Sequence, residues 1–403
     1  MLKSPPDIAA TFDLRNIDRA FLDDPFPTYA ALRTYDPVHR CPDGSYFLTN
    51  YADVMAVYRD RRFSSDKKAE FRPKYGDTPL YTHHTTSLVF NDPPLHTRVR
   101  KLLAPAFTPR ALRILEPKFV TLVDGLLNEA EDRGSMDLIG DFASALPVEI
   151  IGDMLGVPRK DRGPLRAWSM AILGALEPVL TPDAEKTGND AVTRFSTYLA
   201  GLIADRRRTP RDDDVLTALV TGDVGGEKLS EDELIHNCIF LLNAGHETTT
   251  NLIGNGVAAL IEYPEERGKL QANPCLIDSA IEEFLRFESS NQLGNRRATE
   301  DVEIGGIAMP AGTFITLSIG AANRDPTVFA DPERLDITRS PNRHLAFGAG
   351  IHACAGMTLA RMEGRIAIKR LMKRFPDFKP NGPPIRGGRA RFRGYLSYPL
   401  ALT

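Results

Sequence analysis

The sequence has few cysteines and no excess of basic residues, which argues against a zinc-binding protein and against a nucleic-acid-binding protein. The 403 residues contain four cysteines with no C-x-x-C pairing and no zinc-like spacing, namely Cys41, Cys238, Cys275 and Cys354. Such a pattern predicts reduced thiols, so we expect a cytoplasmic protein. Lysine and arginine number 50 against 53 aspartate and glutamate, for a net charge of −3. This balance gives no electrostatic reason to expect a nucleic acid partner.

The sequence also lacks the segments that mark membrane and multidomain proteins. Residues 1–13 contain no apolar run, which predicts neither a signal peptide nor a membrane anchor. There is no Ser/Gly linker, no charged tract and no internal repeat, so we expect one domain over residues 1–403 with an N-terminal arm over 1–22. A Gly-x-Gly-x-x-Gly fingerprint and an iron–sulfur cysteine cluster are both missing, so we expect no fused reductase and electrons from a separate partner.

Hydrophobic periodicity predicts a mainly α protein with small β-sheets. Amphipathic or apolar stretches that end at glycine, proline or charged residues predict helices over 25–33, 51–59, 111–133, 140–155, 164–175, 191–207, 230–262 and 357–375. Strand signals are short and lie at 46–49, 302–304 and 314–317. Within the longest helix, Ser230 and Glu233 have the spacing of a capping box.

The most informative local pattern surrounds Cys354. This cysteine lies in a loop with three glycines, between Phe347 and the predicted helix that begins at Met357. Backbone N–H groups and the positive end of a helix dipole are expected to lower the pKa of its thiol, which favours a metal-binding thiolate. The alternative is a buried, inert cysteine. The glycines favour the first interpretation, because a core cysteine needs no loop of backbone amides.

The residues around Cys354 identify a family by resemblance. The sequence resembles the haem-binding signature of the cytochrome P450 family in the pattern Phe347-Gly348-x-Gly350-x-His352-x-Cys354-x-Gly356, followed by Leu359-Ala360-Arg361-x-Glu363. The resemblance implies the cytochrome P450 fold, a large helical domain with small β-sheets around a buried haem b. It also implies that Cys354 is the axial ligand of the iron, and that Phe347, Gly348 and Gly356 contact the cofactor.

A second motif lies inside the predicted helix 230–262. Ala244 and Gly245 are followed by Glu247 and Thr248, and a glycine in a helix interior costs about 1 kcal/mol relative to alanine. Two explanations are open: close helix–helix packing, or room for dioxygen above the iron. In the second, the Thr248 hydroxyl can also bond the carbonyl of Ala244, four residues earlier. The resemblance implies that this is the distal helix, that Thr248 stabilises bound oxygen and positions water, and that Glu247 relays protons from solvent.

The two propionate groups of a haem need cationic partners. The resemblance implies that four residues supply them, and these are His96, Arg100, Arg296 and His344. Each alone is also compatible with a solvated surface residue. Further basic residues form either a positive face for an acidic ferredoxin or an ordinary solvated surface, namely Arg98, Lys101, Arg110 and Arg361.

Other positions concern stability and specificity. Glu283 and Arg286 match the family's Glu-x-x-Arg motif, and Arg334 matches the third member of its buried ion network; we expect these three to hold the fold. The segment Ser289–Gln292 and Asn243 are polar where many bacterial relatives are apolar or carry proline. These departures predict a substrate with a polar or carboxylate group beside an apolar body.

Together these features predict a haem-thiolate monooxygenase. It would insert one oxygen atom from O2 into a C–H bond of a small, mostly apolar organic substrate, with electrons from a separate ferredoxin and ferredoxin reductase. Three alternatives stay open. They are a peroxide-driven haem-thiolate peroxygenase, a non-enzymatic haem-thiolate ligand-binding protein, and a helical scaffold without a cofactor.

Overall fold

Helices dominate the fold, as the periodicity predicted. The structure, a computed structural model, describes residues 4–211, 214–222 and 228–402. Its α-helices are α1 Pro5–Ala10, α2 Arg19–Asp23, α3 Phe26–Tyr35, α4 Tyr51–Arg59, α5 Lys68–Tyr75, α6 Pro79–Thr86, α7 Leu95–Leu103, α8 Pro109–Arg133, α9 Ala145–Met154, α10 Leu165–Gly174, α11 Pro182–Arg208, α12 Val215–Thr221, α13 Glu231–Glu262, α14 Pro264–Ala272, α15 Ile277–Phe287, α16 Ile319–Ala322 and α17 Met357–Arg374. The strands are β1 Val38–Arg40, β2 Tyr46–Leu48, β3 Phe63–Ser64, β4 Ser135–Asp137, β5 Leu293–Ala298, β6 Val302–Ile304, β7 Ile307–Met309, β8 Phe314–Ser318, β9 Lys379–Pro380, β10 Ile385–Arg386, β11 Tyr395–Ser397 and β12 Pro399–Ala401.

The largest sheet has five strands in the order β1-β2-β8-β5-β3. Strands β2 and β8 are parallel, with Tyr46 opposite Ile315, and the other pairs are antiparallel. Side chains alternate between the two faces of β5, so Arg296 is buried on one face and its neighbour Arg297 points to the other. Because of this alternation, β5 directs the side chain of Arg296 into the interior of the protein.

Helix α13 is the central element of the helical part. Its 32 residues give a length of roughly 48 Å, and it packs against α6, α9, α10, α11, α15 and α17. The predicted capping box is confirmed, because the Ser230 hydroxyl accepts from the Glu233 amide at 3.2 Å and the Glu233 carboxylate accepts from the Ser230 amide at 2.8 Å. None of the described helices is both long and apolar enough to cross a bilayer.

Two predicted helices have different limits. The helix predicted over 140–155 is wrong in its first part, where a π-helical turn over Leu138–Ala143 precedes α9. The cause is the Asp137 carboxylate, which accepts from the Ile139 amide at 2.9 Å and the Gly140 amide at 3.2 Å and so starts a separate turn. The helix predicted over 191–207 begins earlier, at Pro182, because the Thr181 hydroxyl caps the Ala184 amide.

A fully buried ion cluster supports the region before the Cys354 loop. Glu283 and Arg286 have 0 % exposure and form a bidentate pair with both N···O distances at 2.8 Å. The second arginine on Glu283 is Arg339, at 3.2 Å. The prediction for Arg334 is therefore wrong, because this exposed residue contributes its backbone carbonyl to Arg286 and not its guanidinium.

Candidate active site

The Cys354 loop is closed by its own backbone. The Cys354 N–H donates to the carbonyl of Phe347 at 2.9 Å. Gly348 and Gly350 have φ angles of 63° and 71°, which L side chains rarely adopt. A Cβ at Gly350 would also lie 2.2 Å from the carbonyl oxygen of Tyr58. The glycines therefore let a tight loop present the sulfur just before α17 begins.

The thiol of Cys354 does not have the lowered pKa that the loop and helix predicted. Burial raises its pKa, and the opposing effects of the Gly356 N–H and of the positive charges on Arg100 and Arg361 are smaller. The prediction of a lowered pKa from loop and helix alone is wrong. A coordinated metal ion deprotonates a thiol outright, so a metal bound to Cys354 would make it a thiolate.

Phe347 and Gly356 are the other residues of this loop predicted to contact the cofactor, and their surroundings differ. Phe347 is half-buried, with the Arg361 guanidinium 4.7 Å from its ring centroid. A Cβ at Gly356 would meet only the Phe107 ring, at an ordinary 3.8 Å. Among the described residues, protein packing alone therefore gives no reason for glycine at position 356.

The middle of α13 faces open space. Ala244 is exposed and Thr248 is half-exposed, although most of the surrounding helix is buried. The Thr248 hydroxyl donates to the Ala244 carbonyl at 2.6 Å, as the i−4 spacing predicted. These two residues are one turn apart, so they form an exposed stripe along one face of α13.

Gly245 has a separate explanation. A Cβ at this position would lie 2.9 Å from the Cδ1 atom of Ile151 on α9. Of the two explanations for the Ala244-Gly245 pair, close helix packing therefore applies to Gly245. Open space along the exposed stripe applies to Ala244.

Glu247 is a buried carboxyl group with one partner. Its Oε1 accepts from the Arg389 guanidinium at 2.6 Å, while its Oε2 is buried without a partner. Burial raises its pKa to about 7, against the lowering effect of Arg389. A pocket of about 20 Å³ adjoins it, lined also by His246 and Thr250, which is room for roughly one water. A group with this pKa beside a water site can accept and release a proton near neutral pH.

Four basic side chains converge near the Cys354 loop without a carboxylate partner. The rings of His96 and His352 lie 4.1 Å apart, and both nitrogens of His96 are buried without a hydrogen bond. Burial, together with the nearby Arg296, His96 and Arg100, lowers the pKa of His352 to about 3. No carboxylate of the described residues forms an ion pair with Arg100 or Arg296.

His344 does not belong to this group. Its Nε2 lies 3.1 Å from a carboxylate oxygen of Glu282, which also pairs with Arg361 at 2.6 Å. The structure brings together His96, Arg100 and Arg296 as predicted, with His352 as the fourth member in place of His344. The sequence contained a signal for His352, because this residue lies two positions before Cys354 in the same motif.

These residues fit a haem. Unpaired buried donors are costly, and two propionates would supply the missing acceptors for His96 and His352. Arg100 and Arg296 would add positive charge beside them. The sulfur of Cys354 would ligate the iron.

The polar departures have two different roles. The hydroxyl of Ser289 donates to the Leu285 carbonyl at 2.8 Å, and the amide of Gln292 donates to the Ser289 carbonyl at 2.7 Å. The Ser289 hydroxyl also accepts from Asn323 Nδ2 at 2.8 Å, whereas Ser290 Oγ, Asn291 Oδ1 and Gln292 Oε1 are buried without a hydrogen bond. Asn243 instead reaches a side chain on another helix, with its Nδ2 atom 3.5 Å from Nε2 of His83.

Comparisons with known proteins agree with this geometry. The family model described as "Cytochrome P450" matches residues 167–384. The chain is 42% identical to "Vitamin D(3) 25-hydroxylase" of Pseudonocardia autotrophica over 89% of this chain and 88% of the relative. The crystal structure of P450BioI with an acyl carrier protein ligated to hexadec-9Z-enoic acid matches with a TM-score of 0.91 at 36% identity, over 95% of this chain and 100% of that chain. Myxobacterial CYP267B1 in complex with myristic acid matches with a TM-score of 0.89 at 34% identity, over 96% and 98%. The chain belongs to the cytochrome P450 family of monooxygenases.

Proposed function

We propose that this protein inserts one oxygen atom from O2 into a C–H bond of a small, mostly apolar organic substrate that carries a polar group. The observation that supports this most strongly is the group of unpaired donors beside the Cys354 loop. Both ring nitrogens of His96 and Nε2 of His352 are buried without a hydrogen bond, which leaves them available to the propionates of a haem. Haem b, bound through Cys354, would supply the activation of dioxygen.

The residues of α13 have distinct tasks in this proposal. Thr248 holds its hydroxyl at the exposed stripe of α13 through its bond to Ala244 and offers its oxygen to an ordered water. Glu247 takes a proton at its unpartnered Oε2 from the water pocket and delivers it toward the Thr248 side of the helix. Arg389 positions the Glu247 carboxylate through their 2.6 Å ion pair.

Electrons would come from a separate ferredoxin and its reductase. The face predicted to dock an acidic partner is less positive than its sequence suggests, because Glu233 pairs with Arg98 and Glu282 pairs with Arg361. Lys101 and Arg110 are exposed. These two residues are the cations most available to an acidic ferredoxin. All four cysteines are free thiols, which supports the cytoplasm as the location.

A peroxide-driven peroxygenase is the second candidate that shares the Cys354 loop. It needs no proton delivery from solvent to oxygen bound at the iron. A peroxygenase would therefore give no role to Glu247, which has a pKa of about 7 and an adjoining pocket with room for a water. The monooxygenase is therefore the better supported of the two.

Removing Arg296 should weaken the hold on the haem. The side chain is 8 % exposed and has no carboxylate partner among the described residues, so a propionate is its proposed anion. A buried charged contact is worth at least about 2 kcal/mol, so Arg296→Leu should speed haem loss to apomyoglobin roughly thirtyfold. Arg297→Leu, on the opposite face of β5, is the matched control. Equal rates for the two variants would contradict the assignment.

Product formation tests the proposed reaction directly. The purified protein is supplied with a ferredoxin, its reductase and NADH, and separately with hydrogen peroxide, and candidate substrates are screened under ¹⁸O2. We expect one labelled oxygen atom in the product of the reductase system. Product from peroxide alone, with none from the reductase system, would favour the peroxygenase.

A further inference from the structure

Tyr58, near the end of α4, packs directly against the Cys354 loop. A Cβ at Gly350 would lie 2.2 Å from the carbonyl oxygen of Tyr58, and a Cβ at Gly348 would lie 3.8 Å from its ring. Both glycines belong to the loop that presents Cys354. The ring of Tyr58 therefore supports the loop by packing, which leaves its hydroxyl group to be explained.

The same ring lies across one face of β5. The Arg296 guanidinium is 5.1 Å from the centroid of the Tyr58 ring, and a Cβ at Gly294 would lie 2.3 Å from the Tyr58 hydroxyl oxygen. Residues two apart in a strand share a face, so Gly294 and Arg296 are on the same side of β5. Because Gly294 has no side chain, the Tyr58 hydroxyl can lie on this face next to Arg296.

The Tyr58 hydroxyl has no hydrogen-bond partner among the residues that the structure describes. The other tyrosine of α4 shows the usual pattern, because the Tyr51 hydroxyl donates to the Arg343 carbonyl at 2.7 Å. Tyr58 is half-buried, and desolvation raises the pKa of its hydroxyl. The group therefore keeps its proton at neutral pH and is a free donor.

The charges around this hydroxyl favour an anion. Arg296 and Arg391 both oppose the rise in the pKa of Tyr58, so their positive charges lie close to it. The Arg391 guanidinium already donates to two backbone carbonyls and one side-chain oxygen, whereas that of Arg296 donates only to the Asn295 carbonyl, at 2.8 Å. The Asp92 carboxylate acts on Arg296 but forms no ion pair with it in the described part of the chain. Arg296 therefore keeps free N–H donors near the Tyr58 hydroxyl.

We propose that the Tyr58 hydroxyl is a further haem-binding group, which donates to the same propionate as Arg296. A carboxylate has acceptors only, so it complements a hydroxyl and a guanidinium that lie side by side. This inference rests on the proposed function, because it assigns a contact of the cofactor that the proposed reaction needs. A carboxylate on the substrate would suit the same two donors, so the experiment must separate the substrate from the haem.

Tyr58→Phe tests the hydroxyl alone, because phenylalanine keeps the ring that packs against the Cys354 loop. Haem transfer from the haem-loaded protein to apomyoglobin is followed by absorbance. The variant loses a hydrogen bond to a charged group, so we expect it to lose haem about tenfold to a hundredfold faster than the unmodified protein. Its reduction potential should also become more negative, because a propionate that loses a donor keeps more negative charge and favours the ferric state.

Two other variants locate the effect. Tyr51→Phe is the matched control, since it removes a tyrosine hydroxyl from the same helix that is already bonded to the Arg343 carbonyl, and it should leave the rate of haem loss unchanged. Gly294→Ala adds a Cβ at 2.3 Å from the Tyr58 oxygen, which must displace the hydroxyl and speed haem loss. In Tyr58→Phe the nearest ring carbon is 3.2 Å from that Cβ, so the second change should add much less there.

A Tyr58→Phe variant that loses haem no faster than Tyr51→Phe would overturn the proposal. If that variant also binds long-chain carboxylates more weakly in a Soret titration, the hydroxyl serves a substrate carboxylate instead. Either result leaves the proposed function intact when the protein still shows thiolate ligation and forms labelled product. A protein that binds no haem would contradict the proposed function itself, and with it this assignment.

Discussion

Glu283→Leu should lower the free energy of unfolding by about 3–5 kcal/mol. The substitution leaves the guanidinium of Arg286 fully buried without its bidentate partner, and it also removes the acceptor of Arg339 and Asn342. The remaining partners of Arg286 are backbone carbonyls, such as that of Asn323 at 3.0 Å, which carry no compensating charge. Guanidinium denaturation followed by circular dichroism measures the change.

Two further variants serve as comparisons for Glu283→Leu. Asp124→Asn removes the carboxylate of a half-exposed pair with Arg370, so it should cost no more than about 1 kcal/mol. The double variant Glu283→Leu with Arg286→Met removes the unpaired charge of Arg286 and should recover part of the loss, while Arg339 still lacks its carboxylate. If Glu283→Leu costs no more than Asp124→Asn, the buried cluster does not hold the fold.

Glu247→Gln should slow product formation about a hundredfold or more, with little change in substrate affinity. Glutamine keeps the shape of the side chain and its contact with Arg389 but cannot accept and release a proton, and general acid–base groups contribute about 10²–10⁴-fold. The rate should also lose its dependence on a group with a pKa of about 7. The checks are the pH profile and the solvent isotope effect of product formation.

The positive charge of Arg389 sets the direction in which the pH profile of product formation should shift. Its positive charge favours the ionised carboxylate, so Arg389→Met should raise the pKa of Glu247 further and move that limb of the profile to higher pH. Thr193→Val on α11 is a suitable control, because the Thr193 hydroxyl makes the same kind of bond, to the Asn189 carbonyl at 2.9 Å, and does not line the pocket beside Glu247. A profile that Glu247→Gln leaves unchanged would remove Glu247 from proton delivery.

Local signals in the sequence predicted the parts of the site that local geometry controls. The Ser230 cap, the Thr248 bond to Ala244 and the glycine loop before Cys354 depend on residues close in the chain. Hydrogen bonds at short spacing and positive φ angles follow directly from residue type, so these predictions needed no tertiary information.

Partners from distant segments could not be predicted in this way. Arg389 reaches Glu247 across 142 positions, and Arg339 reaches Glu283 across 56. The choice of Arg339 over Arg334, and of His352 over His344, depends on how loops fold back onto helices. The contact between Asn243 and His83 was likewise visible only after α6 and α13 were packed together.

The absorption spectrum of the reduced protein with carbon monoxide tests the central claim most directly. If the Cys354 thiolate ligates a haem iron, the unmodified protein and Cys275→Ala should both show the strongly red-shifted Soret band of thiolate ligation, and Cys354→Ala should lose it while keeping its helical circular dichroism. A colourless protein, or a band that survives in Cys354→Ala, would contradict the account.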